Sequence, residues 1–151
     1  MILKVPLSKT VSASDCFDVA ASMVLGFHGA SGLRRQSSTT DGVSPCHAVS
    51  SLRNFGVRVI EGSMEISDLK HYCDNGKPVM ALVHWDGDHD SHWVVVVGVS
   101  RGKVWFCDSD GRDSLPVFEF ESQWLATGKL GEKYIHWGIV GYFSKGTLAN
   151  T

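Results

Sequence analysis

The stretch His92-Trp93-Val94-Val95-Val96-Val97-Gly98-Val99-Ser100-Arg101-Gly102-Lys103-Val104-Trp105-Phe106-Cys107-Asp108 reads as two strands joined by a tight turn. The valine run is apolar on both faces, as expected of a central strand. A three-residue loop Ser100-Arg101-Gly102 pairs Val99 with Lys103 and sets Asp108 opposite Val94 and Asp110 opposite His92. Side chains alternate, so His92, Val94, Asp108 and Asp110 share one face. Diagonal neighbours in such a ladder lie about 7–8 Å apart, within reach of an imidazole–carboxylate bond. An aspartate on one ring nitrogen fixes the tautomer and aims the other nitrogen at a nucleophile.

Strand periodicity holds on both sides of this hairpin. It predicts a strand over 79–84, a turn at Asp108-Ser109-Asp110-Gly111 and a last, aromatic-rich strand over 134–143. Residues 117–120 lead into a short helical stretch around 121–126. Before residue 78 the periodicity is helical. Ser44-Pro45 opens a helix with a cap and a proline at the first helical position, Val49, Leu52 and Phe55 give it an apolar stripe, and Gly56 ends it. Residues 57–60 form a short strand or extended link, and a further helix over about 67–73 closes at Asp74-Asn75-Gly76. Gly29 to Gly42 is read as a surface loop. Helices first and an antiparallel sheet after make an α+β fold, in one domain spanning 1–151.

The nucleophile facing that histidine is sought in Ser12-Ala13-Ser14-Asp15-Cys16-Phe17-Asp18-Val19-Ala20-Ala21-Ser22-Met23-Val24-Leu25. A polar loop runs into an apolar helix with Cys16 at its first position, and either Ser14 or Asp15 can cap it. A thiol there meets unpaired N–H groups and the positive end of the helix dipole, which favour the thiolate. Cys46 also falls in a first helical turn but has no evident base, and Cys107 lies on the face opposite Asp108.

Composition narrows the function classes. The chain has 151 residues, 43% hydrophobic content and a net charge of −2, with a pI near 6.4. Nothing in this favours nucleic acid or an anionic membrane as partner. No run approaches the roughly 18 apolar residues of a membrane span, and Pro6 interrupts the short apolar N-terminus. Cys16, Cys46, Cys73 and Cys107 form no C-x-x-C pair, which points to a reduced, cytoplasmic protein.

Asp15-Cys16 with the segment through Gly29, Asp41-Gly42-Val43-Ser44, Gly76-Lys77-Pro78-Val79, the strand from His92 and Val104-Trp105-Phe106-Cys107-Asp108 together resemble the C39-like, papain-fold cysteine peptidases. The resemblance runs over about 11–143. It implies a papain-like fold, with Cys16 as nucleophile, His92 as general base and acid, and Asp108 as the residue orienting His92. It implies a peptide or protein substrate; no cofactor or metal is expected. Well-known members of that family cleave leader peptides after a double glycine. This sequence departs from the family pattern at three places. Thr10 stands where the family carries an oxyanion glutamine, Phe17 follows the cysteine in place of glycine, and Ser109 follows the aspartate in place of proline. Losing one oxyanion donor costs about 10²–10³ in rate. A catalytically impaired, peptide-binding relative is therefore the rival reading, and acyl transfer or deamidation would use the same thiol chemistry.

Asp86, Asp88 and Asp90 resemble the start of a calcium loop, but the twelfth position, where such loops place a bidentate acid, falls at Val97. His84, His89 and His92 offer only a paper zinc site. The loop is read as a solvated acidic rim that favours basic substrate segments. The five tryptophans are read mainly as core and cleft wall, with Trp85 and Trp93 flanking the acidic loop.

Overall fold

A six-stranded antiparallel sheet forms the centre of the molecule, in the order β1-β8-β2-β3-β4-β5. The structure is a computed structural model and describes residues 2–6, 16–29, 44–87, 91–108, 110–128 and 130–143. The sheet strands are β1 (Arg58–Ser63), β2 (Val79–Val83), β3 (His92–Ser100), β4 (Lys103–Asp108), β5 (Gly111–Pro116) and β8 (Trp137–Tyr142). β6 (Leu125–Thr127) and β7 (Lys133–Ile135) pair as a separate ribbon. The helices are α1 (Cys16–Phe27), α2 (Pro45–Asn54), α3 (Ile66–Asp74) and α4 (Val117–Gln123). The fold is α+β, although β1 precedes α3 and α4 follows β5, so helices and strands are less segregated than expected.

β3 is central, and Val94 to Val97 are fully buried. The hairpin after it differs from the expected one. Ser100 pairs with Lys103, leaving a two-residue turn in which Arg101 has φ 56° and Gly102 φ 73°. Positive φ at both central residues matches the right-handed twist of the flanking strands. A bulge between Val96 and Gly98 then absorbs one residue, so Val96 pairs with Phe106 and Val95 with Cys107. The expected loop length was one too long, and the bulge cancels the difference further down the ladder. Cys73 Sγ donates to Val96 O (3.5 Å), and Leu3 N donates to Val97 O (2.8 Å).

Both faces of the sheet are covered, which explains the unbroken apolar run in β3. α1 and α2 lie on the face of Trp93 and Gly141: Phe17 meets Trp93 edge-on at 6.1 Å, and Val24 and Leu52 crowd Gly141. α3 and α4 cover the face of Val79, Gly138 and Phe106, where Phe120 packs on Phe106 at 6.1 Å. An aromatic row runs beneath α4 through Trp85, Phe106, Phe120 and Trp124, ending on His136, which stacks on Trp124 at 4.6 Å and 9°.

Local chemistry sets most element ends. Ser44 Oγ accepts the His47 N–H with Pro45 at the first position of α2, and Gly56 follows its end with φ 89°. α3 starts one residue earlier than expected, because the Asp68 carboxylate accepts the Glu65 N–H at 2.8 Å. β1, expected as a short strand or extended link over 57–60, is an edge strand that runs on to Ser63. The last expected strand is broken at His136, whose φ of 54° separates β7 from β8. β5 was not expected, and the helix expected around 121–126 instead spans Val117–Gln123.

Candidate active site

Cys16 is the first residue of α1 and His92 the first of β3, and the two ends meet. The residue after Cys16, Phe17, contacts the residue after His92, Trp93. Trp93 faces α1, so alternation turns His92, at the first position of β3, to the other face of the sheet. The candidate caps Ser14 and Asp15, with Ser12 and Thr10, lie outside the described residues. So do Asp88, His89, Asp90 and Ser109. Asp18, in the first turn of α1, is 4% exposed, and a carboxylate there suits the positive helix end.

Asp108 is the last residue of β4. Carrying the Val95–Cys107 pairing one step on sets Asp108 opposite Val94, two residues from His92 on the same face. Their backbones are then about 7–8 Å apart. Burial pushes the Asp108 carboxyl upward, the negative charges of Asp110 and Asp113 add to this, and backbone bonds from Asp110 and Gly111 oppose it. The Asp110 N–H donates to Asp108 Oδ1 at 2.8 Å. That bond folds the chain back into β5, with Gly111 paired to Asp108. Asp110 therefore sits exposed in a turn and does not lie opposite His92 as the expected register had it.

Two of the other thiols are unsuited to nucleophilic work. Burial pushes Cys73 up to about 12. Cys107 is 2% exposed and also raised, chiefly by burial. Cys46 is exposed in the first turn of α2. Trp93 is buried, and Trp85 is half-buried against Phe106 and Phe120, so both serve packing. Among the described residues no group of three or more His, Cys, Asp or Glu could hold a metal ion. Asp86 is tied to the end of α4 through its N–H to Gln123 Oε1 (2.9 Å).

The sequence matches the model of the peptidase C39 family over residues 4–129. The chain belongs to the peptidase C39 family. It is thus a cysteine-peptidase-type domain. The C39 domain superposes on the peptidase domain of Streptococcus ComA, a bifunctional ABC transporter of a quorum-sensing pathway, with TM-score 0.72 and 19% identity, covering 91% of this chain and 98% of that one. It is also similar to a double-glycine-motif protease from an AMS/PCAT transporter, solved with its leader peptide (TM-score 0.69, 17% identity, 95% and 94% covered). A third neighbour is the Streptococcus mutans ComA peptidase domain with a small-molecule inhibitor (TM-score 0.67, 16% identity, 91% and 98% covered). No curated protein sequence matches it. Among the described residues no helix is long and apolar enough to cross a membrane.

Proposed function

We propose that this C39 domain hydrolyses a peptide or protein substrate through Cys16, His92 and Asp108. The observation that carries the reading is the meeting of α1 and β3 at Phe17 and Trp93, beside the two residues the chemistry needs. The Cys16 thiolate attacks the substrate carbonyl carbon. The tetrahedral adduct collapses to a thioester as His92 gives its proton to the departing amine. His92 then takes a proton from water, the hydroxide displaces the thiolate, and a carboxylic acid leaves. Asp108, on the same face two positions from His92, holds the imidazole in the tautomer this cycle requires. The leader peptide bound to one structural neighbour supports a peptide as substrate.

A second reading is a peptide-binding relative with little turnover, favoured by Thr10 in place of the family glutamine. Cleavage of a randomised peptide library, compared between the natural protein and Cys16→Ala, separates the two. Products that vanish in Cys16→Ala support hydrolysis. Retained peptide binding without any product supports the second reading.

A further inference from the structure

The hairpin between β3 and β4 closes on Ser100-Arg101-Gly102-Lys103, at the end of the sheet opposite to Cys16 and His92. Arg101 and Lys103 are exposed there and make no ion pair among the described residues. Two aromatic rings flank them. Trp105 is half-buried, and its Nε1–H donates to Ser100 O at 3.4 Å, which folds the indole back against the turn. The Arg112 guanidinium lies over the same ring at 5.7 Å. From α4, on the opposite face of the sheet, the Val117 N–H donates to Gly102 O at 3.0 Å. That bond brings the start of α4 to the turn, and Phe118, the next residue, is 73% exposed. Phe120 is the ring that α4 sends into the core, so Phe118 is left on the surface beside the cations.

Charge is segregated along the same axis. Behind the tip stand Lys4, next to the Leu3 that bonds Val97, Arg58, paired with Tyr142, and Lys77, over the Tyr142 ring at 5.5 Å. The acids described at this end are Asp74, held by Lys70 at 2.7 Å, and Glu119. Asp18, Glu65, Asp68, Asp86, Asp108 and Asp110 lie towards the other end, at the starts of α1 and α3 and beyond the ends of β2 and β4. The net charge of −2 conceals this split. The length of β3, from His92 to Ser100, sets the tip about 26 Å from His92. The Debye length is about 10 Å at 0.1 M salt, so a negative surface at the tip feels the cations and is screened from the acids.

We propose that this tip docks the protein on an anionic phospholipid bilayer, with Arg101 and Lys103 among the headgroups and Phe118 at the boundary of headgroups and acyl chains. Aromatic rings beside cations suit that boundary, where Phe118 adds apolar area and Trp105 an amphipathic ring. A hairpin end meets a flat surface, whereas a polynucleotide follows cations laid along a groove. Docking in this way leaves the end that carries Cys16 and His92 facing water. The proposal does not depend on the peptidase reading.

The test is co-sedimentation with vesicles of phosphatidylcholine, alone or with about 30% phosphatidylserine, at about 0.1 M and about 0.5 M NaCl. Binding should require phosphatidylserine and fall at the higher salt. Arg101→Asn combined with Lys103→Gln should weaken it about 25-fold, since each cation near such a surface is worth about fivefold. Asparagine suits the left-handed turn position, so this variant keeps the hairpin, as its circular dichroism spectrum should show. Phe118→Ser should weaken binding about three- to tenfold at both salt concentrations. Lys133→Gln removes a charge near the other end and should leave binding unchanged. Equal binding to both kinds of vesicle, indifference to the tip variant, or as large a loss in Lys133→Gln would overturn the proposal. So would the absence of vesicle binding, and tip-dependent binding of a single-stranded oligonucleotide in that case would assign the tip to nucleic acid.

Discussion

At the scale of single residues, the proposed triad predicts a graded loss. Cys16→Ala should abolish product formation with an unchanged circular dichroism spectrum, and His92→Ala should cost nearly as much, because triad members act as a unit. Asp108→Asn should cost less in kcat. Its stability should move the other way. The native Asp108 carboxyl is held above its ordinary range, so folding binds a proton that the unfolded chain releases. That stabilisation is present below about pH 3.9 and is lost as pH rises through the raised native value. Asparagine keeps an acceptor for the Asp110 N–H and relieves the buried charge. Urea unfolding at neutral pH should show Asp108→Asn equal to the natural protein or more stable by less than about 1 kcal/mol. A clear destabilisation would mean that the charge itself holds the turn. Cys16, His92 and Asp108 could be picked out as candidates in the sequence because each sits beside a local signal: a helix start, a valine run, a turn. The break at His136 had no such signal, since only its hydrogen bond to Trp124 O and its stack on that ring hold it.

At the scale of elements, the apolar strands and the capped α2 were readable, because burial on both faces and cap chemistry leave local patterns. β5 was not. It is an edge strand with Arg112 and Asp113 exposed, so it carries no alternation to detect. The hairpin was misread by one residue because Arg101 is an unusual occupant of a left-handed turn position. Asparagine tolerates that conformation better, so Arg101→Asn should raise stability by about 0.5–1 kcal/mol in urea. Gly138 gives the opposite case. A methyl there would lie 2.6 Å from Met64 Sδ and 3.1 Å from Val79 Cγ1. Gly138→Ala should therefore destabilise by about 1–3 kcal/mol, and Met64→Ala should recover part of that loss.

At the scale of the whole molecule, the α1 face is tied to the sheet far from Cys16 as well as near it. His28, just past α1, hydrogen-bonds through Nε2 to Gly141 O at 3.1 Å and meets Phe27 and Phe143 edge-on. Burial holds its pKa below the ordinary value, its bond to Gly141 acts the other way, and Lys77 reinforces the lowering. The native state thus binds fewer protons than the unfolded chain below about pH 6.5. Stability should be full above that pH and fall as pH drops towards the lowered native value. His28→Gln should flatten this slope, as measured by urea midpoints between pH 7.5 and 5.5. An unchanged slope would assign the acid sensitivity to other groups. The overall α+β arrangement was legible from the switch of periodicity near residue 78, whereas the sharing of helices between two faces depends on long-range contacts.

The bulge at Val97 has a consequence for how this chain tolerates changes of length. Below it, Val96–Phe106 and Val95–Cys107 stay paired whether the tip closes on two residues or three, because the spare residue can sit at position 97 or in the loop. One residue lost at Val97, or a bulge migrated to the tip, leaves His92 and Asp108 on the same face and in the same step. Loss of any one of Val94 to Val97 gives the same sequence, so this slack covers the whole valine run, whereas a residue lost from β4 between Phe106 and Asp108 meets no bulge in its own strand and would turn Asp108 to the opposite face. The valine run of β3 is therefore the place where a missing codon is absorbed, and β4 between Phe106 and Asp108 is where one would undo the proposed site.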